Sequence, residues 1–322
     1  MAVDVNAFSA MARTEFMAGK MAAENNVVPA NYQSFTSIVP STTKVETHLY
    51  MSSLPRLYRF KGYSPSVRMT DYEYTVTNLP YRMGPITVSK DDLDDDKAGG
   101  YLQMINGLPA SGQKDIGWEV LGHLADGTSK PCFDGTNYFA NTHAVGTGDN
   151  LDTANMAASD AGVTKIIALN LSNSLFKPVL FQDREPLSGL QTDAETPQAA
   201  KQKEYEYWSD CRFGLGYGYW WDAIHLTITD LPTVDEIVET IIPQLVNRFR
   251  TFALPVGKDG DDARLVHENW VPTADNFTLL CSMPLAEIVT TAVNRTQYKT
   301  GSSTLDNIYY QKATVIPTSS LN

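Results

Sequence analysis

The chain has 322 residues, 43% apolar or aromatic and 19% charged, enough to bury a substantial core in one large domain or two moderate ones. A formal charge of -12 and a pI near 4.8 exclude a specific reader of nucleic acid, which needs clustered Lys and Arg against phosphate, but they are compatible with a container wall. No run approaches the roughly 18 uninterrupted apolar residues of a membrane helix, and Asp4, Arg13 and Glu15 stand where a signal peptide has a basic cap and an apolar run, so neither insertion nor secretion is expected.

Residues 1–56 read as an extended arm. A short amphipathic segment (Phe8, Met11, Ala12, Phe16) leads into the Thr/Ser/Pro-rich stretch Asn31 to Thr47, whose few apolar side chains do not offset its ordering entropy, so order is expected only through another chain. Residues 57–89 read as a ribbon: Tyr72, Tyr74 and Val76 alternate against Glu73, Thr75 and Thr77, and Ile86, Thr87 and Val88 follow a break at Asn78 to Pro85. Two arms of about 12 residues would reach about 40 Å, farther than a compact domain covers internally, so the ribbon is expected to touch a neighbour.

Asp91 to Asp96 then precede a helix over about 97–124, with Tyr101, Met104, Ile105, Ile116, Val120, Leu121 and Leu124 on one face and Gly107 and Pro109 predicting a kink or split. The segment Phe133 to Phe139 places an Asp-Gly turn between aromatic flanks, a hairpin signal. Strands are expected at Ile166 to Leu171, Pro178 to Gln182 and within Tyr205 to Ile228, joined by the loop Pro186 to Pro197. From Thr233 the chain reads as a compact α/β unit: a capping box (Thr233, Glu236) opens a helix bent at Pro243, strands follow at Leu265 to Val271 and Phe277 to Ser282, then a helix opened by Ser282 and Pro284 and a closing strand Ile308 to Ile316. No repeat of solenoid period is present.

Few residues suggest chemistry. The run Asp91 to Asp96 fails the calcium-loop spacing, with Lys97 and Gln103 where Gly and Glu belong, and reads as helix-capping carboxylates. Gly214-Leu-Gly-Tyr-Gly218 lacks the spacing of a phosphate loop and leads into Tyr219, Trp220 and Trp221, so it reads as a glycine-bearing strand in a crowded sheet. The five histidines (His48, His123, His143, His225, His267) show no metal-binding spacing and no activated serine is marked. Cys132, Cys211 and Cys281, odd in number and far apart, read as reduced thiols. The aromatic group from Tyr205 to Trp221 has Arg212 as its one close cation and reads as packing or contact between chains.

Several blocks together resemble one family. Asn31 to Pro65 (NYQSFTSIVPSTTKVETHLYMSSLPRLYRFKGYSP), Tyr72 to Tyr101 (YEYTVTNLPYRMGPITVSKDDLDDDKAGGY), Phe133 to His143 (FDGTNYFANTH), Lys177 to Pro186 (KPVLFQDREP) and Glu204 to Trp220 (EYEYWSDCRFGLGYGYW) are similar to the Mu-like major head subunits, which adopt the HK97 capsid fold. The resemblance implies an α+β chain with an N-terminal arm (1–56), an extended β-hairpin E-loop (57–89), a peripheral domain (90–230) built on the long helix, and an axial α/β domain (231–322). It implies subunit contacts through Tyr72, Tyr74, Val76, Tyr81 and Arg82, and self-assembly into pentamers and hexamers of an icosahedral bacteriophage head around double-stranded DNA, put together in the bacterial cytoplasm. Expected partners are copies of the chain, a portal, a decoration protein and a scaffolding protein made separately, since only about 55 residues precede the ribbon. No catalytic residue, cofactor or metal is expected. An encapsulin-like compartment, which shares the fold, is the alternative.

Overall fold

The structure, a computed structural model, describes residues 4–25, 32–50, 62, 72–95, 97–143, 156–157, 164–173, 176–194, 196, 202–228, 230–256, 262–265, 267 and 269–321. The chain opens with helix α1 (Val5–Asn25), a short turn α2 (Tyr32–Phe35) and strands β1 (Thr36–Pro40) and β2 (Val45–Tyr50). Strands β3 (Tyr72–Thr77) and β4 (Leu79–Ser89), a short helix α3 (Lys90–Asp94) and the long helix α4 (Ala98–Ala125) follow.

These elements overturn the extended arm. Phe8, Ala12 and Phe16 recur every four residues, form one face of α1 and are fully buried. Helix α1 packs along α4 so closely at Gly19 that a Cβ there would collide with the Asn106 carbonyl. Polar ties complete the docking: Lys20 Nζ donates to the Leu187 carbonyl (2.7 Å), and Asn106 Nδ2 donates to the Glu15 carboxylate (2.8 Å). The Ser/Thr-rich stretch is likewise built in, because a sheet ladder needs main-chain groups rather than apolar side chains. The stretch supplies all of β1, which lies parallel to Val179–Glu185.

The ribbon is also corrected. β3 pairs antiparallel with β2, from Val45 opposite Thr77 to Tyr50 opposite Tyr72, and not with β4. The reason sits at Asn78 between them: buried, it donates from its backbone N–H to the Lys44 carbonyl (2.9 Å) and from Nδ2 to Ser41 Oγ and the Thr43 carbonyl (both 2.7 Å), which pins the chain where β4 departs for another partner. Residues 57–61 and 63–71 of the expected ribbon lie outside the described residues.

The Asp run does not cap the long helix: Asp91 and Asp92 lie in the first turn of α3, which Ser89 caps. Ser89 Oγ accepts from the Asp91 N–H, and Asp92 holds Lys97 (2.6 Å) and the Tyr101 hydroxyl (2.8 Å). Helix α4 runs unbroken through Gly107 and Pro109. Burial of Ile105, Ile116, Val120, Leu121 and Leu124 on one face outweighs the roughly 3 kcal/mol that an interior proline costs.

Strands β5 (Met156–Ala157), β6 (Thr164–Asn170), β7 (Val179–Glu185), β8 (Gln191–Thr192), β9 (Glu204–Tyr217) and β10 (Ala223–Ile228) come next. The capping box is present: Thr233 Oγ1 accepts from the Glu236 N–H, and the Thr233 N–H donates to the Glu236 carboxylate. The helix it opens has three parts, α5 (Val234–Glu236), a π turn (Ile237–Ile241) and α6 (Ile242–Thr251). Pro243 has no N–H for the Glu239 carbonyl, and the widened turn lies where that bond is missing. A hairpin of β11 (Ala253–Val256) and β12 (Asp262–Leu265) follows, then β13 (Phe277–Ser282), α7 (Met283–Val293), a hairpin of β14 (Gln297–Thr300) and β15 (Ser303–Asp306), and β16 (Thr314–Thr318). The expected strand Leu265 to Val271 therefore ends at Leu265, and the closing strand begins at Thr314 because Ile308 to Gln311 are a turn.

Two five-stranded sheets organise the molecule. One has the order β1-β7-β9-β4 with β8 beside β9; the other is β16-β13-β6-β10-β5. The second sheet draws β5, β6 and β10 from the middle of the chain and β13 and β16 from its end, so a boundary at 230/231 cuts through it. Buried residues from both sheets and from α1, α4, α6 and α7 form one continuous core.

Candidate assembly surface

The five residues expected to contact a neighbour divide between the inside and the outside of the chain. At the foot of the β2–β3 ribbon, Tyr50 is fully buried, stacks on Phe133 (4.7 Å, 2° between planes) and donates its hydroxyl to the Tyr217 carbonyl (2.7 Å). Tyr74 meets the Tyr50 ring edge-on at 6.0 Å, and Tyr72 meets Phe133 at 5.7 Å. Burial pushes the Tyr74 phenol up to about 12. Val76 is buried over β9, where a Cβ on Gly214 or Gly216 would come within 2.8 or 2.7 Å of its methyl groups. The glycine-bearing strand read from the sequence is thus the floor on which Val76 sits. Val76 is buried and Tyr72 and Tyr74 are half-buried against their own chain, so the subunit itself supplies much of the cover that was expected from a neighbour.

Tyr81 and Arg82 lie on β4. Tyr81 stacks on Phe213 at 4.2 Å and is half-buried. Arg82 is exposed, forks onto Asp210 (Nε to Oδ1 2.6 Å, Nη2 to Oδ2 3.0 Å) and lies 5.1 Å over the Trp208 ring. The hydrogen bonds between them push the Arg82 guanidinium up and the Asp210 carboxyl down. A surface pair of this kind contributes little to stability.

The outward apolar groups are ones the sequence reading missed. Strand β2 is turned inside out. Glu46 and His48 face inward, Glu46 gathering Ser41 Oγ (2.6 Å) and the Thr42 N–H (2.8 Å), and His48 bonding the buried Gln182 (3.0 Å). The alternate positions put Val45 (49%) and Leu49 (51%) into solvent. Beside the ribbon, Leu79 (52%) and Trp118 (54%) border a groove of about 470 Å³ between β3–β4 and α4, whose rim carries Glu119, Asp126 and Lys130. Trp118 could have been found, since it falls off the stripe of Ile116, Val120 and Leu121. Nothing in the alternation of β2 says which face is inside.

Comparison with known proteins follows the same layout. A family model described as the Mu-like prophage major head subunit gpT matches residues 5–233. The Mu-like prophage FluMu major head subunit of Haemophilus influenzae is 28% identical over 202 residues, 60% of this chain and 64% of that protein. The major capsid protein of Escherichia phage Mu is 26% identical over 202 residues, 61% of this chain and 66% of that protein. The matched region thus spans just under two thirds of these relatives. Among solved structures, a subunit of the bacteriophage JBD30 procapsid has a TM-score of 0.74 at 22% identity, covering 99% of this chain and 100% of its own. A subunit of the JBD30 capsid has a TM-score of 0.72 at 18% identity over 92% of each chain. The fold is that of these capsid subunits, α+β of the HK97 type.

Proposed function

The chain belongs to the Mu-like prophage major head subunit gpT family, and from that premise we propose that it is the shell subunit of a tailed-bacteriophage head, assembling with copies of itself around double-stranded DNA. Pentamers and hexamers closing into an icosahedral virion capsid are the assembly this reading implies. The observation that carries it is the family match over residues 5–233, which includes the ribbon and every strand of the first sheet.

The geometry supports a division of labour within the subunit. Tyr50, Tyr72, Tyr74 and Val76 bolt the described part of the β2–β3 ribbon to β9 and Phe133. Val45, Leu49, Leu79 and Trp118 then offer apolar contact to another copy, with Arg82 and its Asp210 partner as a polar element on β4. The net charge of -12 suits a wall that encloses a polyanion without gripping it. The JBD30 capsid is decorated with minor capsid protein trimers, and a decoration protein, a scaffolding protein and a portal are the partners proposed for this chain. The family match favours this reading over an encapsulin-like compartment.

The test is negative-stain microscopy of the chain expressed alone and together with a scaffolding protein from the same genome. Closed shells are expected in at least one arm. A folded chain that stays monomeric in both overturns the proposal.

A further inference from the structure

Cys132, Asp134 and His143 carry no metal-binding spacing in the sequence, yet the fold brings one ligand atom from each to within 4.8 Å of the others, the one such group of His, Cys, Asp or Glu among the described residues. Two local devices hold them there. Residues 132–136 form a tight turn, with the Cys132 N–H bonded to the Thr136 carbonyl (2.8 Å), the Gly135 N–H to the Cys132 carbonyl (3.1 Å) and Gly135 at φ +80°, a conformation that favours glycine. That turn sets the Cys132 thiol against the Asp134 carboxylate (Sγ to Oδ1 3.1 Å). The His143 ring lies flat on Trp220 (4.3 Å, 6°), which aims Nδ1 at the other carboxylate oxygen at 2.7 Å. All three side chains are buried: the Cys132 residue is 3% exposed, and the Asp134 and His143 side chains are 2% and 0% exposed.

We infer that Cys132, Asp134 and His143 form a binding site for a thiophilic divalent cation, zinc by preference. The donor set is one sulfur, one imidazole nitrogen and one carboxylate oxygen, which is the mixture zinc takes and magnesium or calcium does not. Without an ion the three groups bond to one another through protons, the thiol and the imidazole each donating to the carboxylate. With an ion the thiol releases its proton to solvent and the imidazole presents Nδ1 as a lone pair with its proton on Nε2. A thiolate and a carboxylate then balance the two positive charges, leaving no uncompensated charge in a buried place. Zinc bonds of about 2.0–2.3 Å ask the three side chains to shift by no more than about an ångström, and they leave one tetrahedral position for water. The ion would tie the turn that follows α4 to the chain leading toward the second sheet, so its effect would be on stability.

The test uses the full chain, stripped of metal and titrated with cobalt(II) as a spectroscopic stand-in for zinc. One equivalent should bind with a thiolate-to-cobalt charge-transfer band. That band should be lost in Cys132→Ser and kept in Cys211→Ser and Cys281→Ser. Zinc should raise the unfolding midpoint of the wild-type chain, and X-ray absorption of the zinc-loaded wild type, which needs no variant to fold, should show one sulfur at about 2.3 Å among lighter ligands. No charge-transfer band, a band that persists in Cys132→Ser, or a zinc shell without sulfur would overturn the inference and leave the trio as a hydrogen-bonded network alone.

Discussion

Gly214 and Gly216 show how narrowly the foot of the ribbon is fitted. A methyl group on Gly216 would lie 2.7 Å from Val76 Cγ2 and 3.0 Å from the Tyr74 ring. Gly216→Ala should therefore destabilise the subunit by about 1–3 kcal/mol in urea titration. Because the tighter of these two contacts is with Val76, Gly216→Ala combined with Val76→Ala should be milder than the sum of the two by at least about 0.5 kcal/mol; strict additivity would place the strain elsewhere. Two histidines carry a separate consequence. Burial, the largest cause in each case, pushes His123 and His225 down to about 4, and among the described residues His123 Nε2 and His225 Nδ1 are buried without a hydrogen-bond partner. Each stays neutral in the fold while the unfolded chain takes up a proton near the ordinary value of about 6.5. The unfolded state thus binds more protons between those values. The stability each contributes is complete above about pH 6.5 and is lost as pH falls toward 4, with an upper size on the order of 3 kcal/mol per group. Urea midpoints at pH 7 and pH 4.5 should show the loss, and a His123→Phe, His225→Leu chain should lose distinctly less over the same range.

At the scale of elements, the proposed assembly surface predicts that the two faces of the ribbon separate folding from assembly. Its inner face is part of the body, so Tyr74→Asp places a carboxylate among Tyr50, Tyr217 and Val76 and should cost several kcal/mol in subunit stability, visible as a lowered thermal midpoint. Its outer face has no such duty. Val45→Glu with Leu49→Glu should leave the midpoint of the free subunit within the range typical of surface changes, about 0.5 kcal/mol each, while abolishing closed shells in sedimentation and negative stain. Normal shells from that double variant would remove the outer face of β2 from the assembly surface. The same inversion explains why the contact residues were only partly legible. Tyr72, Tyr74 and Val76 announce an alternating strand, but alternation defines two faces without saying which one meets the core. That choice was made by Gly214 and Gly216, more than a hundred residues along the chain. The N-terminal segment misled for a related reason: the apolar stripe Phe8, Ala12, Phe16 was visible, but the surface that covers it comes from α4 and β9, reached through Ser9 and the Tyr207 hydroxyl among others.

For the whole molecule, the second sheet makes the chain one cooperative unit. β6 lies between β13 and β10, with Leu279 opposite Ala168 and Ile224 opposite that same residue on the other side. A fragment ending at residue 230 would strip β13 and β16 away and leave the buried Ile166, Ile167, Ala168 and Leu169 without half of their cover. Residues 1–230 expressed alone should therefore show no sharp thermal transition by circular dichroism, or should aggregate. A fragment that melts cooperatively and stays soluble would restore the boundary at 230/231.

What the amino-acid sequence determined by itself was whatever depends on residues close together. The capping box at Thr233 and Glu236, the strand Phe277–Ser282 and the Asp-Gly turn at Asp134 and Gly135 each need only a few neighbouring residues and the backbone rules that bind them. The family blocks add the class of fold, because each is long enough to be distinctive. Tertiary structure alone decided the pairings: β3 with β2 instead of β4, β1 with β7, and β6 with both β10 and β13. It alone decided that β2 shows its apolar face to solvent and that Cys132, Asp134 and His143 converge. The physical reason is common to all three. A strand or a side chain states in its own sequence what it could pair with, whereas the partner it obtains is fixed by which distant groups close packing places beside it.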